Sequence, residues 1–565
     1  MSTLPQVLWD AGQQVPEQVA IYLQHAHQPD LSIRYRDLLT GGVKYARLLE
    51  QHGILPGDVV ILILQHGIDL VYGFWGAILH GAIPSIMPFL TEKLLPEKYR
   101  ADLASLIAVT KPVALITYPD FVEEAKAALT QGGPVRAVIS TDPGTHHDER
   151  GDVDVLTTMG GFRRQPEDVV LLQHSSGTTG LQKGVALSHQ AVLRHMTTYS
   201  EAIRLSTQDV IVSWLPLYHD MGLIAGFLMP ILTRTPLVLM SPFDWVRAPY
   251  RLLQAVSRYH GTLTWLPNFA YNFCVSKIRD RDLEGVDLSS WRSVINCSEP
   301  MRWESHARFY ERFAPFGLRE SALATCYAMA ENTFAVSQGG IDGEVVWMDV
   351  DRDILQLNGI AQPPSEGGVA VRMLSAGKPI RGVDVRVLSS EGTPLGDYIV
   401  GELAVKSDTM LTGYYNRPDL TEKAFVDGYY LTGDLGFTGG GEVYVSGRKK
   451  DLMIVGGRNI YPQDLEELAG TVPGVHPGRM VVFGVFDEIT GTEEVVAIVE
   501  ADTESQEERE QIAAQVREKV TRGSAVVLRR VQVVDAHWLI KTSSGKISRF
   551  ANRQKYLQQF CQQNG

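Results

Sequence analysis

The stretch that most restricts what this chain can fold into is Ser175–His189, SSGTTGLQKGVALSH. An apolar run, Val169–Leu172, leads into it and reads as a buried strand. A second run, Val185–Leu187, leads out, and Ser188 is placed to cap a helix beginning near His189. The predicted order is strand, Gly/Ser/Thr loop, strand, helix. Gly177, Gly180 and Gly184 let the backbone approach a ligand with no Cβ in the way. Ser175, Ser176, Thr178 and Thr179 offer hydroxyl donors. Backbone N–H groups of such a turn form an anion-binding concavity, to which Lys183 adds a full positive charge. A triphosphate needs this combination. The spacing is not that of a P-loop, because Gly184 follows Lys183 and no Ser or Thr is placed to hold a metal; nor is it G-x-G-x-x-G. Taken alone, the segment also reads as a polar surface hairpin.

At 565 residues the chain is too long for one core and predicts about three or four domain-sized units. The 44% hydrophobic and 21% charged fractions are those of a globular protein. A net charge of −13 with no long basic block argues against nucleic acid as the main partner. The four cysteines, Cys274, Cys297, Cys326 and Cys561, form no C-x-x-C pair and fit a reducing, cytoplasmic setting. The first residues lack the basic and apolar regions of a signal peptide. The longest apolar stretch, Met221–Leu232, falls short of a membrane span.

Over the first 160 residues, strand-like runs such as Val59–Leu64 and Val113–Thr117 alternate with helical patterns such as Tyr45–His52 and Ala101–Val109. That alternation predicts a mostly parallel α/β sheet. Val210–Trp214, Leu263–Leu266 and Ser293–Asn296 continue it. LPLYHDMG, followed by an apolar helix, LPNFAY and NCSEP stand at or just past strand ends, where ligands of open α/β sheets bind. From about residue 340, glycine, proline and charge punctuate short strands such as Val385–Val387 and Gly401–Val405, predicting a β-rich subdomain. GRKKDLMIVGGRNIYPQDLEEL opens a further unit, with a helix start at Pro462. The tail alternates helix and strand and reads as a small α+β domain on a hinge.

Seven motifs then occur in one order: SSGTTGLQKGVALSH at 175–189, LPLYHDMG at 215–222, YAMAEN at 327–332, GYYNRP at 413–418, YLTGDLG at 430–436, GRKKDLMIVGGRNIYP at 447–462 and KTSSGKISR at 541–549. Together they resemble the adenylate-forming superfamily of acyl-CoA synthetases, fatty acyl-AMP ligases, luciferase-like enzymes and peptide-synthetase adenylation domains. The resemblance implies a large N-terminal α/β domain over 1–448 with a β-rich subdomain at about 366–446. It also implies a mobile C-terminal α+β domain over 449–565 that turns about a hinge near Lys450. It implies ATP and Mg²⁺ as cofactors, with Ser175–Gly180 and Lys183 around the β- and γ-phosphates and Glu331 on the metal. Asp434 would hold the ribose hydroxyls, assisted by Arg448. Asn296, Cys297, Ser298, Glu299 and Pro300, with Tyr327, Ala328 and Met329, would wall the adenine. Lys546 would reach the carboxylate and α-phosphate. His219 would stand beside the substrate carboxylate, lining the pocket rather than acting as a general base. Read singly, Asp434 is a turn residue, Glu331 a helix-start carboxylate and Lys546 a solvated lysine; their order as a set makes them functional.

Within the superfamily, SWLPLYHDMGL, SEPMR, YAMAENTFAVS and GRNIYPQDLE are similar to motifs of the fatty acyl-AMP ligase branch. The segment 338–377 resembles that branch's insertion, which hinders productive use of CoA; its plain alternative is a surface loop. The implied acceptor is the phosphopantetheine thiol of an acyl carrier protein, with CoA as the alternative, and the implied substrate is a fatty acid. Trp214, Met221, Trp265 and Tyr271 are the candidate acyl-pocket residues, with plain core as the alternative. An amino-acid-activating relative would carry an aspartate for the substrate ammonium; Phe243–Trp245 is the nearest candidate and reads as a local turn. A non-catalytic nucleotide or acyl binder is the second alternative, and the retained Lys183, Glu331, Asp434, Arg448 and Lys546 favour an enzyme. Three positions depart from the family pattern: Ala328 for a glycine, Ile540 for a proline, and Asn296–Cys297 for smaller residues.

Overall fold

The structure is a computed structural model and describes residues 2–89, 96–129, 133–141, 153–175, 183–455, 458–476, 478–487, 492–524, 526–542 and 546–561. The chain divides into two compact units: 1–346 with 376–384 and 406–428, and 347–375 with 385–405 and 429–565.

The first unit holds two large sheets. One has nine strands, with Ile211–Ser213, Leu237–Met240, Val19–Gln24, Leu263–Leu266, Ser293–Asn296 and Leu323–Ala328 running parallel through its middle. The other has seven, in which Val59–Ile63, Ile83–Ile86, Ala114–Thr117 and Ala137–Ser140 are parallel. Every residue of Val59–Ile63 is buried, as expected of a strand covered on both faces. The expected hairpin is present: Val169–Ser175 pairs antiparallel with Lys183–Ser188, and Ser188 Oγ accepts the Ala191 N–H at 3.1 Å to cap the helix His189–Ala202. The predicted apolar helix after LPLYHDMG begins as a π-helix, Met221–Leu228, before Met229–Thr233 turns α-helical. Gly222 is obligatory there, since a Cβ would stand 2.2 Å from the Pro216 carbonyl oxygen.

The second unit contains the sheet built on Val383–Leu388, Gly401–Ser407, Tyr429–Gly439 and Glu442–Arg448. Two short strands of the 366–446 stretch, Lys378–Pro379 and Gly413–Tyr414, join the two large sheets instead. The tail forms a three-stranded sheet, Met480–Asp487, Thr492–Glu500 and Leu528–Val534, with the helices Pro462–Gly470, Gln506–Ser524 and Arg549–Tyr556. One cluster of its core is aliphatic, built around Leu465, Val482, Ala497 and Val516, and a second packs Val481 and Ile498 with Phe483 and Tyr556.

The 338–377 segment is an ordered element rather than a surface loop. Trp347–Asp351 pairs antiparallel with Ala370–Leu374 and the helix Arg352–Asn358 lies between them. Asp351 caps that helix through the Asp353 and Ile354 N–H groups at 3.0 and 3.1 Å. Arg372 pairs bidentately with Asp349 at 2.9 and 3.0 Å and stacks 3.8 Å over the Trp347 ring. Val350, Leu355 and Ala361 pack with Phe437 and Tyr444. Arg458 reaches Asp353 at 3.4 Å, and Arg352 donates to the Gly523 carbonyl. Gly377 (φ +92°) closes the segment where a Cβ would lie 1.9 Å from the Gln338 carbonyl carbon, so no other residue fits.

Candidate active site

Ser176, Gly177, Thr178, Thr179 and Gly180 lie outside the described residues. Ser175 ends the first strand of the hairpin and is the register partner of Lys183, which begins the second. The Lys183 ammonium lies 4.6 Å from the centre of the Tyr414 ring, a cation–π contact. The Tyr414 hydroxyl donates to Glu331 Oε1 at 2.9 Å. Tyr414 is placed by strand pairing, Gly413 opposite Ala186 and Tyr414 opposite Val185. The Leu411 N–H also donates to the Glu331 carbonyl at 2.7 Å. The lysine expected at phosphate and the carboxylate expected at metal are thus joined through one tyrosine. GYYNRP marks this position in the sequence as a motif but does not itself show a chemistry for Tyr414.

Glu331 sits on a single 3₁₀ turn, Ala330–Asn332, following the strand Leu323–Ala328. The next residue, Thr333, has φ +63° and ψ −55°, and the Phe334 N–H donates to the Asn332 carbonyl at 2.6 Å. This is the rare, strained hand of γ-turn. Side chains over-determine it. Thr333 Oγ1 donates to the Thr409 carbonyl at 2.7 Å, Asn332 Nδ2 to the Ala335 carbonyl at 2.7 Å, and Asn332 Oδ1 accepts from the Ser407 and Thr409 hydroxyls. Asn332 and Thr333 have no exposed surface, and Glu331 retains 9%. Ser407 and Thr409, absent from the sequence reading, therefore fix where Glu331 points.

The adenine candidates lie at the carboxyl ends of the adjacent parallel strands Ser293–Asn296 and Leu323–Ala328. Asn296 is fully buried, donating to Asn268 Oδ1 and pairing with His306 Nε2, both at 3.0 Å. Cys297 is also buried. These two side chains anchor the strand end, so Ser298 (φ +69°), Glu299 and Pro300 carry the more open surface. Glu299 accepts the Phe269 N–H at 2.9 Å. Tyr327 is 8% exposed, and Ala328 and Met329 are half-buried beside it.

His219 Nδ1 pairs with Asp220 Oδ1 at 2.6 Å, and the same oxygen accepts the Met221 N–H at 2.8 Å. Asp220 thereby orients the imidazole, whose Nδ1 also lies 3.4 Å from the Met221 N–H. Of the acyl-pocket candidates, Trp265 donates to the Tyr199 hydroxyl at 2.7 Å and Tyr271 to the Val294 carbonyl at 2.9 Å, both wholly inside the core. Trp214 stacks on Trp245 with centroids 3.6 Å apart, and Met221 lies beside the Ser298 hydroxyl at 3.8 Å. A small pocket of about 10 Å³, room for about one water, is lined by Leu64, His66, Ile86, Phe89, Leu217 and Phe243 among others. Phe243–Trp245 is helical rather than a turn, within Pro242–Arg247, and Asp244 accepts the Ala26 N–H at 3.0 Å and faces Arg251 at 3.7 Å.

In the second unit, Asp434 and Arg448 are cross-strand register partners and form an ion pair at 2.7 Å. The Asp434 carboxylate is buried and the arginine half-exposed. Thr432 Oγ1 accepts the Asp434 N–H at 3.0 Å, and Glu402 takes the Gly433 N–H at 3.1 Å and Lys449 at 2.7 Å. Lys450 lies in the 3₁₀ turn Lys449–Asp451. Arg549 locks that turn, donating to Asp451 at 2.8 Å, Glu466 at 2.7 Å and the Val482 carbonyl at 2.8 Å. Lys546 stands in a tight return where the Thr542 N–H donates to its carbonyl at 2.7 Å and Lys541 bridges Ile547. The buried Asn552 clasps Ile540 on both sides, accepting its N–H at 2.8 Å and donating to its carbonyl at 2.9 Å. Ile540 in place of proline is thereby explained, since proline has no N–H to give.

The fold and this set of residues define an adenylate-forming enzyme. The AMP-binding enzyme family model matches residues 8–415, and the chain belongs to that family. It is 31% identical to the long-chain-fatty-acid–AMP ligase FadD26 of Mycobacterium bovis, over 98% of this chain and 97% of the relative. It is 29% identical to the medium-chain-fatty-acid–[acyl-carrier-protein] ligase JamA of Moorena producens, over 95% and 92%. A solved structure from work on fatty acyl-adenylate ligases of E. coli and L. pneumophila superposes with a TM-score of 0.88 at 26% identity, covering 100% of this chain and 98% of that one.

Proposed function

We propose that the chain is a fatty acyl-AMP ligase. A fatty acid carboxylate oxygen bonds to the α-phosphorus of ATP as the bond to pyrophosphate breaks. The acyl group of the acyl-AMP then passes to the phosphopantetheine thiol of an acyl carrier protein, with AMP leaving. The observation that carries the activation step is the Lys183–Tyr414–Glu331 chain. Tyr414 engages one Glu331 oxygen, and among the described residues no hydrogen bond is made to the second, which is left for a hard cation. No cluster of three or more His, Cys, Asp or Glu is found among the described residues. That fits Mg²⁺, which is held by one or two carboxylates, substrate phosphates and water. When bound, Mg²⁺ supplies charge neutralisation across the phosphate oxygens. Lys183 holds β- and γ-phosphate charge, Asp434 and Arg448 take the ribose, and His219, oriented by Asp220, faces the substrate carboxylate. Lys546 serves the α-phosphate, and the segment from Lys450 onward is the moving part. A cytoplasmic location belongs to the same reading.

The relatives named as fatty-acid–AMP and acyl-carrier-protein ligases support fatty acid as substrate and a carrier protein as acceptor. A relative named putative acyl-CoA synthetase from Caulobacter vibrioides, 32% identical over 93% of this chain, favours CoA as a second reading. The ordered 347–375 element, bonded to Arg458 and Gly523, supports the carrier-protein reading. The test is mass spectrometry of products from ATP, Mg²⁺ and a ladder of fatty acids, with CoA or a phosphopantetheinylated carrier protein. Acyl-AMP that is drawn off by carrier protein and not by CoA is the expected result; rapid acyl-CoA formation reverses the assignment of acceptor.

A further inference from the structure

Asp434 stands on an irregularity of its strand. In the sheet of the second unit, Tyr429–Gly439 pairs with Gly401–Ser407 on one side and with Glu442–Arg448 on the other. Glu402 is the partner of Leu435 and Ala404 of Leu431, so the single residue Leu403 faces Thr432, Gly433 and Asp434 together. That is a β-bulge, the device by which a strand re-aims a side chain beside a site. Gly433 takes φ +71° within it. A bulge leaves ladder groups unpaired, and two side chains take them up here. Thr432 Oγ1 donates to the Leu403 carbonyl at 2.7 Å and accepts the Asp434 N–H at 3.0 Å. Glu402 Oε1 accepts the Gly433 N–H at 3.1 Å. Its other oxygen, Oε2, accepts from the Lys449 ammonium at 2.7 Å, just past the end of Glu442–Arg448. The Glu402 side chain is only 12% exposed. One shielded carboxylate therefore ties the bulge to both flanking strands, and its charge-assisted bonds are of the stronger, better-directed kind. Arg448 holds the Asp434 carboxylate itself at 2.7 Å.

Resting on the reading of Asp434 as the residue that takes the ribose, we propose that Glu402 and Thr432 are positioning residues for the nucleotide: together they hold the bulge in the shape that aims the Asp434 carboxylate at the ribose hydroxyls. Both act through Asp434. Without them the Gly433 and Asp434 N–H groups lose their acceptors, the bulge relaxes, and Asp434 stays paired with Arg448 but is no longer aimed. A site built to hydrogen-bond a ligand hydroxyl discriminates strongly against the analogue lacking it. Loss of either residue therefore erodes recognition of the hydroxyls and of no other part of the nucleotide.

The test is calorimetric binding to the full chain, without fatty acid, of ATP and of dideoxy-ATP, which lacks both ribose hydroxyls. The wild type is expected to favour ATP, and Asp434→Ala to abolish that preference. Glu402→Met, which keeps the side-chain length and removes both acceptors, should lower the ratio of the two affinities by about tenfold, the size of one hydrogen bond, with the affinity for dideoxy-ATP unchanged. Thr432→Val should lower the same ratio. Glu402→Gln, whose amide oxygen still accepts the Gly433 N–H, should keep part of it. A general loosening of the fold would weaken both nucleotides alike and leave the ratio where it was. If Asp434→Ala abolishes the preference but Glu402→Met or Thr432→Val leaves it intact, the positioning role is overturned and the ribose reading stands. Equal affinity of the wild type for both nucleotides, or a preference that survives Asp434→Ala, removes the ribose reading and the positioning role with it. Should one of the two variants not fold, the other decides.

Discussion

Tyr414 illustrates how one side chain can serve two opposite charges: its ring faces the Lys183 ammonium and its hydroxyl holds Glu331. Tyr414→Phe keeps the ring and removes only the hydroxyl. The expected result is a rightward shift of the Mg²⁺ titration of pyrophosphate release and about a tenfold fall in kcat/KM, the size of one hydrogen bond to a charged group. An unmoved Mg²⁺ curve would separate Tyr414 from the metal. Lys546→Ala is expected to lower acyl-AMP formation by more than about a hundredfold, the scale of removing one charge-stabilising donor, with an unchanged melting temperature. Full acyl-AMP yield at the wild-type rate would sink the role assigned to Lys546. Ile540→Pro should cost about 1–3 kcal/mol in urea unfolding, because Asn552 Oδ1 loses its buried donor.

At the scale of elements, what was readable from sequence was local. Leu263–Leu266 and Ser293–Asn296 are the strands that their apolar runs predict, and the 169–188 hairpin and its Ser188 cap follow from turn residues and capping chemistry. The missed features are long-range. Nothing near Asn332 in sequence reveals that Ser407 and Thr409 hold it, and Gly413–Tyr414 pairs with a strand more than 200 residues earlier. The 347–375 element could be read as a loop because its strands are short and mixed in polarity; Arg372–Asp349 and the packing on Phe437 order it. The acyl-pocket candidates show the converse. Aromatic residues beside a motif look alike in sequence whether they line a ligand or fill a core, and Trp265 and Tyr271 have their polar atoms satisfied inside.

For the molecule as a whole, one pH lever is a set of histidines in the first unit whose rings are held neutral by desolvation. Burial lowers His66, His195 and His306 to about 3, and His174 and His189 to about 4. Their ordinary value is 6.5, so below that pH the unfolded chain binds more protons than the folded one. Stability therefore falls as pH drops from 6.5 towards 4, by up to about 1.4 kcal/mol per pH unit for each group, and is unaffected by these groups above 6.5. Urea midpoints measured from pH 7.5 to 4.5 should be flat, then fall steeply; a flat line throughout would mean that these rings charge in the native state. The 347–375 element has a different consequence at this scale. Trp347 and Leu374, its two ends, are cross-strand partners, so the chain leaves and returns at one point. The element is thus a cassette: it can be gained, lost or exchanged between relatives without breaking the continuity of the sheets, and the mark of its loss would be compensating polar substitutions at Phe437 and Tyr444, the face it covers.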